Sequence, residues 1–122
     1  MKSTLIINQT THTQISSALL ARTFSSRLLG LMFKKDLSED GGIIIVEDYE
    51  SRLNSSIHML FMNFDICAIW LDKNFRVCDI QLAKKWHFAY IPKQKAQYVL
   101  ELHKSKITYF SLGNQIIFSR EK

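Results

Sequence analysis

Apolar positions in this chain mostly fall in short runs or alternate with polar ones, and clusters of polar and turn residues punctuate them. "STLIIN" at 3–8 reads as a first strand, and "TQISSALLARTF" at 13–24 suits either a strand or an irregular connection. The period then changes. Leu28, Leu29, Leu31, Met32 and Phe33 recur at helical spacing, Ser25 or Ser26 can cap the first amides, and Phe24 stands where a staple residue would. A short helix over 25–33 is expected, with Gly30 inside it at a cost of about 1 kcal/mol relative to alanine, which suggests a close backbone approach. After the turn cluster "SEDGG", "IIIVE" reads as a buried strand and "DYESRLNSS" as a polar loop.

The pattern next predicts a strand over Ile57 to Phe61, a kink at Met62 to Asp65, and a strand over Ile66 to Leu71. "LDKNFRV" turns into a partner strand, Phe75 to Leu82. "AQYVLELH" places Tyr98, Leu100 and Leu102 on one face, Tyr109, Phe110 and Leu112 add apolar cover, and "GNQIIFS" is a last strand. Many short strands with one brief helix predict a mainly β fold, a compact β-barrel or jelly-roll-like sandwich in one domain over 1–122. Ile66 to Leu71 is apolar on both faces, so its outer side needs a cover; the 25–33 helix is the amphipathic candidate, and it would border any cavity.

Composition narrows the class. The 122 residues are 47% hydrophobic and 22% charged, with one proline and four glycines, as in ordered globular chains. The apolar run Leu5 to Ile7 is too short for a secretory segment, and no run approaches a membrane span, so a cytoplasmic location without membrane insertion is expected. Cys67 and Cys78 sit in apolar strand patterns, which favours free buried thiols: a turn at Lys73-Asn74 leaves them diagonal and too far apart to pair, a three-residue loop at Lys73 to Phe75 puts them on opposite faces, and only a turn at Asp72-Lys73 would set them directly opposite. The formal charge of +5 comes largely from Lys34-Lys35 and the segment 83–95.

"ARTFSSRLLGLMFKKDL", "IHMLFMNFDICAIWLDKNFRV", "KKW" and "AQYVLEL", in that order, resemble the bacterial and archaeal family catalogued as domain of unknown function 192. Arg27, Gly30, Leu31 and Met32 match its Arg-x-x-Gly-Leu-Met segment; His58, Phe61 and Met62 match its central strand; Leu71-Asp72, Trp86 and Val99 to Leu102 match later motifs. Two departures stand out: Phe75 occupies the hairpin position where the family shows glycine, and Gly113-Asn114 replaces Gly-Asp. The resemblance implies a compact β-barrel or jelly-roll-like domain with a short helix, and no established activity.

Which residues could carry chemistry? Arg27, on an otherwise apolar helix, must reach water, pair with a carboxylate such as Glu101, or bind an anion. His58 is a hydrogen-bonded structural residue or a ligand-orienting one. Met32, Met59 and Met62 read as core filler, no histidine or cysteine spacing suits zinc, and no metal or cofactor is expected. There is no Gly-x-Ser-x-Gly elbow and no phosphate loop, so an enzyme ranks lowest; it would have to use His58 and Asp65, the latter turning the chain or raised in pKa by desolvation.

The expectation is a binding module for an unknown small ligand or protein partner. Its cavity would be bordered by Arg27, His58, Phe61, Met62 and Glu101, and covered by Trp86 and Tyr90. The alternative is nucleic-acid or other polyanion binding through Lys84, Lys85, Lys93 and Lys95, interleaved with Trp86, Phe88 and Tyr90.

Overall fold

A computed structural model describes residues 3–23, 26 and 30–120. Seven strands are present: β1 (Thr4–Asn8), β2 (Thr13–Ala21), β3 (Gly42–Ser51), β4 (Ile66–Leu71), β5 (Val77–Ala83), β6 (Ala96–His103) and β7 (Ile116–Arg120). A short 3-10 helix, Lys104–Tyr109, follows β6. The strands form one sheet in the order β5-β4-β6-β3-β2-β1-β7. All pairs are antiparallel except β2 with β3, which run parallel over Leu19 to Ala21 against Ile43 to Ile45. Among the described residues no helix is long and apolar enough to cross a membrane.

The expected barrel or sandwich takes the form of a curled sheet that does not close along its length. Its two edge strands meet at one end, where Arg76 bridges Gln115 and the Val77 N–H donates to the Asn114 carbonyl at 3.0 Å. Asn8 fastens the same end, its side-chain amide donating to Asn114 Oδ1 at 2.8 Å and to the Tyr109 carbonyl at 3.0 Å.

Alternation along β3, β4 and β6 divides the core in two. Ile44, Cys67, Ile69, Leu71, Leu100 and Leu102 face inward and pack with Ile6, Ile15, Phe110 and Ile116. Ile43, Ile45, Ile66, Ala68, Trp70 and Val99 face outward, yet they too are buried. All of β4 is therefore inaccessible, as an apolar run without alternation requires.

The cover on that outer face differs from the expectation. Part of the 25–33 helix, Ser25 and Arg27 to Leu29, lies outside the described residues. What is described ends in a turn, because Gly30 has φ +50° and its N–H donates to the Ser26 carbonyl at 3.0 Å. Glycine therefore sits where the chain leaves helical geometry rather than inside a helix reaching Phe33. The strand expected at Ile57 to Phe61 is reduced to one bridge, Ile57 to Tyr90, and the rest is loop. That loop is the larger part of the cover: Ile57, Met59 and Met62 are buried against the outer face, joined by Leu31.

Register explains the cysteines. Cys67 pairs with Leu82 and Ile69 with Ile80, with an irregularity at Trp70/Leu71. Cys67 belongs to the inner core while Cys78 packs on the outer one, and both thiols are free. At the hairpin departure Phe75 adopts a φ of +63° and stacks on Tyr98 at 4.5 Å. At the other end Gly42 permits close pairing of β3 with β6, since a Cβ there would lie 2.5 Å from the Glu101 carbonyl oxygen.

Candidate functional site

Glu101 belongs to the same sheet face as Val99, pointing away from Leu100 and Leu102. Above it lies a cavity of about 410 Å³. Ile45, Glu47, Val99 and Glu101 line it from the sheet, Gly30 to Met32 and Asn54 to His58 from the covering loops, and Met62, Asp48 and Tyr49 complete the wall.

Local polar sequence holds the covering loop in place. Asn54 donates its backbone N–H to Ser51 Oγ at 3.1 Å and its side-chain amide to Tyr49 Oη at 2.7 Å. Ser56 Oγ donates to the Leu53 carbonyl at 2.6 Å. From below, the buried Trp70 indole donates to the Ser55 carbonyl at 2.7 Å, which ties the loop to the sheet. Ile57 and Tyr90 then exchange backbone hydrogen bonds at 3.0 and 2.8 Å, and the Met59 N–H reaches the His87 carbonyl at 3.0 Å.

Glu101 is the chemically unusual group. It is 5% exposed, and among the described residues its carboxylate has no hydrogen-bond or ion-pair partner. Burial pushes its pKa up to about 7. The carboxyl therefore changes protonation near neutrality, inside a cavity.

The structure distributes the sequence-predicted residues over two places. His58, Met62 and Glu101 line the cavity. His58 Nδ1 accepts the Leu60 N–H at 3.2 Å, which holds the ring to its own loop. Phe61, Trp86 and Tyr90 are not among the lining residues. Tyr90 instead braces the neighbouring loop, its Oη accepting the Lys84 N–H at 2.8 Å.

Phe61 and Trp86 point outward beside Phe33, with ring centroids 5.2 Å apart for Phe33 and Phe61 and 5.3 Å for Phe61 and Trp86. Two adjacent pairs thus split their roles: Met32 and Met62 turn to the cavity, while Phe33 and Phe61 turn to solvent.

Of the two readings of Asp65, the desolvated one fails. Its carboxyl accepts the Lys85 N–H at 2.8 Å and lies 3.7 Å from Lys84 Nζ, so its pKa is lowered, chiefly by that backbone hydrogen bond, rather than raised by desolvation. Among the described residues no group of three or more histidine, cysteine or acidic side chains is placed to hold a metal ion. Sequence reasoning missed the lining contributed by Glu47, Asp48, Tyr49 and Asn54; "DYESRLNSS" reads simply as a polar loop, and its position over Glu101 is visible only in three dimensions.

The sequence profile of the DUF192 family, described as uncharacterized ACR, matches residues 5–116. The chain belongs to this family. A UPF0127 protein of Thermococcus kodakarensis is 44% identical over 82 residues, covering 67% of this chain and 50% of the relative. Another from Pyrococcus furiosus is 42% identical over 102 residues, covering 82% and 84%. This chain spans about half the length of the Thermococcus kodakarensis and Thermococcus gammatolerans relatives. The fold recurs in a crystal structure of a protein of unknown function from Novosphingobium aromaticivorans, with TM-score 0.79 and 17% identity over 94% of this chain and 83% of that one. A Sinorhizobium meliloti protein, provisionally described as a transcription regulator, gives TM-score 0.82 at 16% identity over 96% and 92%.

Proposed function

We propose that this member of the DUF192 family is a small-ligand-binding module whose ligand enters the 410 Å³ cavity and meets Glu101. The observation that carries this reading is a nearly inaccessible carboxylate without a described partner at the cavity wall. Burial disfavours the charged form of a carboxyl, so a ligand that donates a hydrogen bond or brings a positive charge to Glu101 stabilises that form. The cavity volume lies in the range typical of small-molecule sites.

Charge selects the ligand class. The described lining contains Glu47, Asp48 and Glu101 and no lysine or arginine. A protonated amine, or another hydrogen-bond donor, suits these acidic groups; Arg27, for which an anionic group is expected, lies outside the described residues. Glu101 would accept from the ligand, His58 would orient it, and Met62 with Val99 and Ile45 would exclude water around its apolar part.

Binding is preferred to catalysis. The hydrogen bonds described for the His58 and Asp65 side chains come from backbone N–H groups, and neither residue contacts a serine hydroxyl or a second carboxylate among the described residues.

Isotope-labelled protein titrated with small primary amines, and in parallel with matched alcohols and carboxylates, tests the reading. Amines should shift the amide signals of Val99, Glu101 and 54–58, and Glu101→Gln should abolish the shifts while the chain stays folded. Shifts caused by carboxylates alone, or none from any of these probes, would overturn it.

A further inference from the structure

A second feature stands apart from the cavity. Phe33, Phe61 and Trp86 come from three separate loops, form one ring cluster, and are 62%, 44% and 55% exposed. All three also have left-handed backbone, with φ of +67°, +61° and +67°. Bulky residues rarely adopt that region, and such strain concentrates at functional positions.

The loops are joined to each other at these residues. The Phe33 N–H donates to the Phe61 carbonyl at 3.0 Å, the Trp86 N–H to the Met59 carbonyl at 2.7 Å, and the Asn63 side-chain amide to the Lys34 carbonyl at 2.7 Å. Three strained backbones are thus held rigidly to present rings to solvent, where the rings add little to the core.

Charge identifies what these rings would meet. Lys34 and Lys35 follow Phe33 directly, and Lys84 and Lys85 precede Trp86 directly; all four are exposed. The nearby carboxylates are Asp36 and Asp65, and the second is engaged by the Lys85 N–H and by Lys84. Flat rings with open faces, flanked by lysines, combine the two elements that bind single strands: base stacking and phosphate attraction. Duplex bases hide their faces in the stack, lysine is depleted in protein interfaces, and the rings line neither of the two cavities described, as a small anion would require.

We infer that Phe33, Phe61 and Trp86, with Lys34, Lys35, Lys84 and Lys85, form a stacking platform for single-stranded nucleic acid. This relocates the polyanion surface expected over Lys84 to Lys95. The inference does not depend on the Glu101 cavity.

Tryptophan emission provides a built-in probe, because Trp86 is exposed and Trp70 is 0% exposed. Titrating the full chain with an oligothymidylate of about 12 nucleotides should quench Trp86 emission. With four lysines engaged, affinity should fall by up to about 50-fold between roughly 50 and 200 mM salt.

Phe33→Ala should weaken binding by about 5- to 150-fold, the range of one lost stacking contact. Its Tm should stay within about 5 °C of the parent, since the ring is largely exposed. Lys34→Ala with Lys85→Ala should flatten the salt dependence. No quenching at low salt, equal binding of duplex, binding to anionic vesicles instead of the oligomer, or unchanged affinity in folded Phe33→Ala would overturn the inference.

Discussion

The two faces of β6 differ by one residue of phase and by nearly everything else. Leu100 and Leu102 look into the curl of the sheet, where strands β1 and β7 close over them. Val99 and Glu101 look outward, where loops close over them and leave a cavity. Strand cover is built on backbone ladders and packs apolar side chains closely. Loop cover is held at a few points, such as the Trp70 indole on the Ser55 carbonyl, and it tolerates both empty volume and an ionisable side chain. One face supplies close packing and the other a cavity.

The largest effect should come from breaking the inner face. Leu100→Ala removes a fully buried side chain from close packing and should destabilise the chain by about 2–5 kcal/mol in urea denaturation. A loss below about 1 kcal/mol would mean that the inner face is no better packed than the outer one.

Glu101→Gln should do the opposite. The folded-state pKa near 7 lies above the ordinary value of 4.5, so between these values the folded chain binds more protons than the unfolded one. Stability of the parent should therefore fall as pH rises from about 4.5 to 7, while the glutamine variant lacks this slope. The two should agree near pH 4, and at pH 8 the variant should be more stable by about 3 kcal/mol. Parallel curves across this range would contradict a buried carboxyl of raised pKa.

A smaller change should follow from Trp70→Phe, which keeps an aromatic ring in the outer core but removes the donor to Ser55. A loss of about 1–2 kcal/mol is expected, with faster amide hydrogen exchange over 54–58 than in the parent. Unchanged exchange there would show that the loop does not depend on this tether. The smallest effect concerns the thiols: burial raises the pKa of Cys67 to about 12 and that of Cys78, which is only half-buried, to about 11, so at pH 8 Cys78 should react slowly and Cys67 only after unfolding. Rapid labelling of Cys67 in the native protein would contradict its placement.

How much of this could be read along the chain depended on which cover was involved. The strands announced themselves: β4 through its unbroken apolar run, and β6 through the Tyr98, Leu100 and Leu102 phase. The loop cover did not, because Ile57 and Met59 alternate as a strand would, although only Ile57 makes a bridge. Periodicity reports which side chains are buried and cannot tell a ladder from a loop laid over a sheet.

Glu101 was legible as an isolated charge in an apolar strand, but its neighbours Asp48, Tyr49 and Asn54 are distant in sequence and ordinary in composition. The left-handed aromatics were equally silent, since nothing in "MFKK" or "LFMN" signals a positive φ at phenylalanine. At Phe75 the resemblance did carry a hint, because the family's glycine marks the backbone that this chain keeps with a bulky residue.

Carbon-13 chemical shifts of the Glu101 side-chain carboxyl, followed from pH 3 to 9 in the unliganded chain, test the central claim most directly. The account predicts a titration midpoint near 7, moving to lower pH when an amine occupies the cavity. A midpoint at or below the ordinary glutamate value would show a carboxylate already solvated or paired, and the cavity would lose its reason to hold a ligand there.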